Sequence, residues 1–265
     1  LRTMQVQRGL GASRIAISSI GGTINMITRT TDIERGGSIT LETGSVYDFK
    51  STLSYSTGRT AKGFAASFVG SRTIGRGYID RMNIDAWSYY LSLAQEIGRR
   101  HLISANIIGA PQHHNQRFTR LTTSEWESRG GGRFNPDWGL LQGQPLNLSQ
   151  NTYHKPQLSL NHSWSITDRS MLTTSVYGSW GRGGGSGLNT VANEAGSRPS
   201  LRNNAPDSLI NWDAIYSFNR GTSHDTVFNP AGDILMRGHR AYGVLRYSVL
   251  NHDIYGLIST FQQGL

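Results

Sequence analysis

Residues able to do chemistry are plentiful in this chain, and their spacing is informative chiefly by the reactions it argues against. The run GRGGGSG, Gly181–Gly187, is glycine-rich enough to suggest a phosphate cradle. A P-loop needs Lys and then Ser or Thr after its last glycine, and no Lys follows Gly187. The dinucleotide pattern G-x-G-x-x-G fails as well, because Ser186 stands where its last glycine belongs. The run reads as a flexible strand-to-loop transition. His113 and His114 are adjacent, which in a strand or turn sends their side chains apart, whereas a metal pair needs both ligands on one side. Hydrogen bonding at the base of a loop is their expected role. Serines and histidines abound without G-x-S-x-G or another local nucleophile signature. No catalytic, metal-ligating or cofactor-binding residue is assigned, and no cofactor is expected.

Charge points to a class of contact. The 265 residues carry a net charge of +9, and only Lys50, Lys62 and Lys155 among the 26 basic residues are lysines, leaving 23 arginines. Arginine suits bidentate contact with phosphate or carboxylate. The arginines are scattered, with no basic helix or stripe to gather them, which argues against nucleic acid. Lipopolysaccharide phosphates or an anionic solute fit the charge equally well.

The elements that must position these groups are strands. In QLSLNHSWSI, Leu158, Leu160, His162, Trp164 and Ile166 share one face, while Gln157, Ser159, Asn161, Ser163 and Ser165 share the other. MLTTSVYGSW repeats the pattern, and SITLETG, FKSTLSYSTG, GFAASFVGSR, WSYYLSLAQEIG, HLISANIIGA and DIYGLISTFQ follow it more weakly. Each is near the roughly 9–11 residues with which a tilted strand spans a bilayer. Short connections at TGRTAK, IGRRH and TDRS alternate with longer ones, the longest at about 112–153 and 182–252. Tight turns at one end and long loops at the other are the pattern of an outer-membrane barrel. A soluble sandwich is the plainer alternative. Within the second long loop, Leu209, Trp212, Ile215 and Tyr216 stand at helical spacing, with Asp207 or Ser208 as the expected N-cap. Aromatics near strand ends, Trp87, Tyr89, Tyr90, Trp164, Tyr177 and Trp180, suit an interfacial girdle. His162 falls mid-strand on the apolar face, where periodicity offers no reason for it. Cysteine is absent, and no apolar run approaches a transmembrane helix.

The stretch VQRGLGASRIAISSIGGTINMITR resembles the C-terminal end of the plug domain of TonB-dependent outer-membrane receptors, with Gly21, Gly22, Thr23, Ile24 and Asn25 matching the plug-end motif. GAPQHHNQR, YHKPQLSLNHSW and YGSWGRGGGSG are similar to later segments of the large receptors of that family. The resemblance implies an all-β chain: the end of a plug over residues 1–35, then a partial antiparallel transmembrane β-barrel over 36–265. That portion would supply about the first eight of about 22 strands, the sequence being a fragment of a longer receptor. The implied activity is energy-coupled uptake of a solute (iron chelate, cofactor, glycan or peptide) across the outer membrane of a Gram-negative bacterium. The implied partners are the inner-membrane TonB complex, acting through an upstream segment, outer-membrane lipid and lipopolysaccharide, and an unidentified solute. The competing reading is an outer-membrane or soluble β-protein with an adhesive or hydrolytic role.

Overall fold

The computed structural model describes residues 3–8, 22–27, 33–190, 201–204, 207–221, 225–228, 230–238 and 241–264. Strands β1 (Thr3–Arg8) and β2 (Gly22–Ile27) form a two-stranded antiparallel sheet of their own. Then come β3 (Gly36–Glu42), β4 (Phe49–Ser56), β5 (Phe64–Gly75), β6 (Ile84–Ile97), β7 (His101–Gly109) and β8 (Gln112–Asn115). A first inserted segment holds α1 (Thr123–Ser128) and the hairpin β9 (Trp138–Leu141) and β10 (Gln144–Asn147). The chain returns through β11 (Gln150–His154), β12 (Gln157–Thr167) and the long β13 (Ser170–Thr190). A second insertion carries α2 (Trp212–Arg220) and the hairpin β14 (Asp225–Phe228) and β15 (Ile234–Gly238), before β16 (Gly243–Val249) and β17 (His252–Gln263).

Eleven of these strands make one antiparallel sheet. Three breaks interrupt it without ending it. Pro111 and Pro156 lack the N–H a ladder needs, so β7 stops and resumes as β8, and β11 stops and resumes as β12. Both prolines still accept through their carbonyls, from Trp87 N at 2.8 Å and Trp180 N at 3.2 Å. Between β16 and β17, Leu250 N donates to Gly183 O at 2.8 Å. Counting each interrupted pair once, the sheet is an up-and-down meander of eight runs. Its outer edges are β3 and the β16–β17 run, and no pairing joins them among the described residues.

The connections sort by end. Residues 57–63, 98–100 and 168–169 connect the strands at one end of the sheet, whereas 43–48, 76–83, 116–149 and 191–242 bridge the other; the first two, 57–63 and 43–48, are of nearly equal length, and the contrast between short and long comes from the later ones. The two long connections are shorter than the sequence suggests, because strands run into both. The glycine run is the reason for the second. Gly181–Gly187 is not a flexible transition but the continuation of β13, paired to β11 on one side and to β16 and β17 on the other. A Cβ at Gly184 would collide with Ser248 O, so only glycine lets the strands approach here.

Register gives the sheet two chemically distinct faces. Opposed residues share a face, so Leu93, Ala105, Leu160, Val176 and Leu257 form one apolar rung across β6, β7, β12, β13 and β17. Leu91, Ile107, Leu158 and Tyr255 lie on the same side, as do Ile39, Leu53 and Tyr89. The opposite face carries a ladder of small polar groups, interrupted by one rung that holds Val69, Tyr90, Ile108 and Ile254. Ser92 Oγ donates to Asn106 Oδ1 at 2.6 Å, Ser175 Oγ to Asn161 Oδ1 at 2.7 Å, and Ser71 and Ser88 share a bond of 2.7 Å. Such cross-strand pairs are what stabilise a sheet locally. Tyr90 and Tyr177 project to this polar face, so only Trp87, Tyr89, Trp164 and Trp180 of the aromatics expected in a girdle stand on the apolar one.

Apolar burial is concentrated away from the sheet. Ile210, Trp212 and Ile215 form a small core, flanked by Leu141, Leu146, Leu148, Leu188 and Leu201. It holds α2 against β9, and Trp212 Nε1 donates to Leu146 O at 2.9 Å. The α2 N-cap is Asn211, whose side chain accepts from Ala214 N, rather than Asp207 or Ser208. Backbone pairing moved the helix start: Ile210 N donates to Trp138 O and Asn211 N to Leu201 O, which keeps the chain extended up to Asn211.

Candidate functional site

Loops positioned by a rigid scaffold are where binding chemistry is usually carried, and the long-connection end of the sheet has a layer of them held by fixed side chains. Its anchor is the sequence Asn135-Pro136-Asp137, fully buried. Asp137 accepts from Phe118 N at 2.7 Å, Thr119 N at 2.8 Å, the Thr119 hydroxyl, and Arg202 Nη2 at 3.1 Å. Burial pushes its carboxyl pKa up, but the Thr119 hydroxyl and amide, the Phe118 amide and the Arg202 guanidinium outweigh that and hold it below the ordinary carboxylate value. Arg202 also donates to Pro136 O, to Ser208 O at 3.1 Å and to Thr119 Oγ1 at 3.0 Å. The two long connections are therefore locked together by one carboxylate and one guanidinium.

Other arginines are committed to the fold in the same way. Arg117 donates to Gly132 O and Phe134 O, both at 2.9 Å, and lies over the Trp126 ring at 4.3 Å. Trp126 is carried on α1, which begins with a capping box: Thr122 accepts from Glu125 N, and Glu125 Oε2 accepts from Thr122 N at 2.8 Å. The T-x-x-E spacing at 122–125 is a readable signal for that helix.

Beside the anchor lies a cleft of about 740 Å³ between the connections 43–48 and 76–83 and the first long one. Asp48, Arg76, Asp80, Arg81, Arg133 and Trp138 line it. Arg76 is engaged with Asp48, its Nε 3.1 Å from Oδ2. Arg81 lies over the Trp138 ring at 4.7 Å, and Arg133 over Tyr78 at 5.5 Å. The volume falls within the range of small-molecule sites. Periodicity could not have found this cleft, because its walls come from three separate connections.

The residues singled out in the sequence take varied places. Gly22, Thr23, Ile24 and Asn25 lie on β2 opposite Arg8, Gln7, Val6 and Gln5, while Gly21 lies outside the described residues. His113 and His114 occupy β8. His113 Nδ1 meets Thr152 Oγ1 at 2.7 Å, and His114 Nδ1 meets Asn115 O at 3.3 Å. Among the described residues no cluster of three or more His, Asp or Glu side chains is placed to hold a metal ion. His162 finds its explanation across the sheet: its Nε2 is 3.0 Å from His101 Nδ1, and the His101 ring stacks on both His162 and Trp164. Comparison with known protein families, with curated proteins and with solved structures returns no match for this chain.

Proposed function

We propose that the chain is part of a TonB-dependent outer-membrane receptor: a stretch of transmembrane barrel wall with the end of a plug preceding it. The observation that carries this reading is the uncovered apolar face. Leu160 is 50 % exposed, Val176 46 % and Leu257 65 %, side by side on one rung. On the other face Ser92 and Ala94 are buried among their neighbours. A soluble sandwich puts large aliphatics inward and small polar groups outward; this sheet does the reverse, as a wall between lipid and an aqueous lumen requires. Trp87 and Tyr89 near one end of the apolar band, and His101 and Trp164 near the other, suit its two interfaces. Among the described residues no helix is long and apolar enough to cross a membrane, which says nothing of a barrel, since barrels cross with strands. In lipid the unpaired edges β3 and β17 need partners, and strands of a larger barrel would supply them. The role is then uptake of a solute drawn from the loop side through the lumen, with movement of the plug supplying the gate.

Cysteine scanning tests the reading directly, because these 265 residues contain no cysteine, and the scan is run in a full-length protein with any cysteine elsewhere replaced by serine. In isolated outer membranes, Leu160→Cys is expected to react with a lipid-soluble maleimide and to resist a charged one. Asn161→Cys, its neighbour on the polar face, is expected to do the opposite. Equal reaction of both with the charged reagent would mean that the apolar face is wet, and the membrane reading would fail.

A further inference from the structure

We infer that the cleft between connections 43–48, 76–83 and the first long insertion binds a small solute bearing carboxylate or phosphate groups, clasped between the guanidinium groups of Arg81 and Arg133. This names a solute class for the receptor reading above, and rests on that reading only for the side from which the solute arrives.

Three observations carry it. First, Arg81 has a left-handed backbone, φ 60°, which is costly for a residue with a Cβ. Arg81 is the third residue of a turn closed by Met82 N donating to Ile79 O at 3.1 Å, and two buried asparagines hold that turn in place. Asn115 Nδ2 donates to Arg81 O at 2.8 Å, and Asn135 Nδ2 donates to Asp80 O at 2.8 Å. Asn115 is 4 % exposed and Asn135 fully buried, so neither amide is free to relax away. Asp80 N adds a bond to Arg133 O at 2.9 Å, which ties the second arginine's turn to the same dipeptide. Strain held in place from two sides at an exposed arginine is a device for aiming that side chain.

Second, the two guanidinium groups are unspent. Arg76 is paired with Asp48, Arg117 with two carbonyls, and Arg202 with Asp137. Arg81 and Arg133 make no ion pair or side-chain hydrogen bond among the described residues; each rests only on an aromatic ring. A guanidinium presents its donors in a fixed fork, and one already stacked on a ring loses less freedom when it grips an oxyanion. Third, both arginines line the same cleft, whose size admits a ligand of several polar groups.

The test is calorimetric titration of the detergent-solubilised full-length protein with citrate, with inorganic phosphate and with uncharged glycerol as comparison. Citrate or phosphate is expected to bind and glycerol not. Arg81→Gly removes the guanidinium and also relieves the left-handed backbone, so it is expected to keep its fold and to weaken anion binding by about tenfold or more. Arg133→Gln should weaken it similarly, whereas Arg120→Gln, at an exposed arginine that does not line the cleft, should leave it unchanged. Equal binding of glycerol, or unchanged anion affinity in both cleft variants, overturns the assignment. So does binding seen only with vesicles containing lipopolysaccharide and not with either free anion. Failure here, with the Leu160 and Asn161 cysteines labelling as expected, would leave the receptor reading intact and remove only the solute class.

Discussion

Asp137 and Arg202, 65 positions apart, meet at 3.1 Å beneath the loop layer, the carboxylate fully buried and the guanidinium about two-thirds covered. A buried carboxylate is tolerable only when its lone pairs are occupied. Here the Thr119 hydroxyl, two amides and Arg202 occupy them, and Arg202 continues to Pro136 O and Ser208 O. The pair is the hub through which the first insertion fixes the second.

Removing the carboxylate should therefore loosen both insertions while leaving the sheet in place. Asp137→Ala leaves two amides and a hydroxyl without their buried acceptor and removes the ion-pair partner of Arg202, which keeps Pro136 O and Ser208 O, a cost of about 3 kcal/mol by analogy with broken buried pairs. Hydrogen exchange should show lost protection at Phe118 and Thr119, with protection retained in β12 and β13. Unchanged exchange at Phe118 would show that the hub carries no load.

The same group sets an acid limit. The Asp137 carboxyl pKa lies below its ordinary value of 3.8 in the folded loop layer, since its hydrogen bonds overcome burial. A depressed carboxyl contributes stability that is complete above the unfolded value and is lost as pH falls through the folded one. Loop protection should thus be flat from neutral pH down to about 5 and decline only below about 4. The measurement is exchange at Phe118 across that range; a decline beginning near pH 6 would assign the linkage to other groups.

Period-two patterning made the eight strand runs legible, because Leu158, Leu160 and Trp164 alternate with serines and asparagines whatever lies across from them. The ends of those runs were less legible. Glycine ordinarily marks a strand's end, and at Gly181–Gly187 it marks close approach by β11 and β16 instead, which depends on residues some 30 to 65 positions away. The α2 cap moved from Asp207 or Ser208 to Asn211 for the same kind of reason: pairing of Ile210 with the Trp138 region outweighed a local side-chain signal. His162 looked misplaced only because its partner, His101, is 61 positions distant. The clamped Arg81 is the extreme case. No glycine or asparagine stands at the third position of its turn to announce a left-handed backbone, and the two amides that hold the turn come from Asn115 and Asn135.

Charge placed on either face of β12 should separate the faces energetically. Leu160→Arg puts a guanidinium on the apolar rung between Ala105 and Val176, at about 2–4 kcal/mol if that rung lies near the bilayer midplane. Asn161→Arg gives up the bonds to Ser175 Oγ and Ser104 Oγ, about 1 kcal/mol, but keeps its charge in water. Yield of folded full-length protein in outer membranes should fall much further for Leu160→Arg. The reverse order would mean that lipid contacts the hydroxyl ladder.

If the sheet is barrel wall, the end at which each connection lies decides which loops reach the cell exterior. If β1 and β2 belong to a plug end, the chain enters β3 from the periplasmic rim, and β3 runs outward. The connections 57–63, 98–100 and 168–169 then return at that rim, and 43–48, 76–83, 116–149 and 191–242 open outside. Gly98 and Gly143 are well matched sites for an inserted tag. Both have positive φ, 62° and 79°, and neither has a neighbouring atom within 4 Å of a Cβ position, so an insertion disturbs little beyond the turn itself. A tag at Gly143, in the β9–β10 turn, should bind antibody on intact cells, as should one at Gly131. A tag at Gly98 should bind only after the outer membrane is permeabilised. Surface labelling at Gly98 with silence at Gly131 and Gly143 would invert the sheet, place the arginine-lined cleft in the periplasm, and remove the reason for a solute to meet it first.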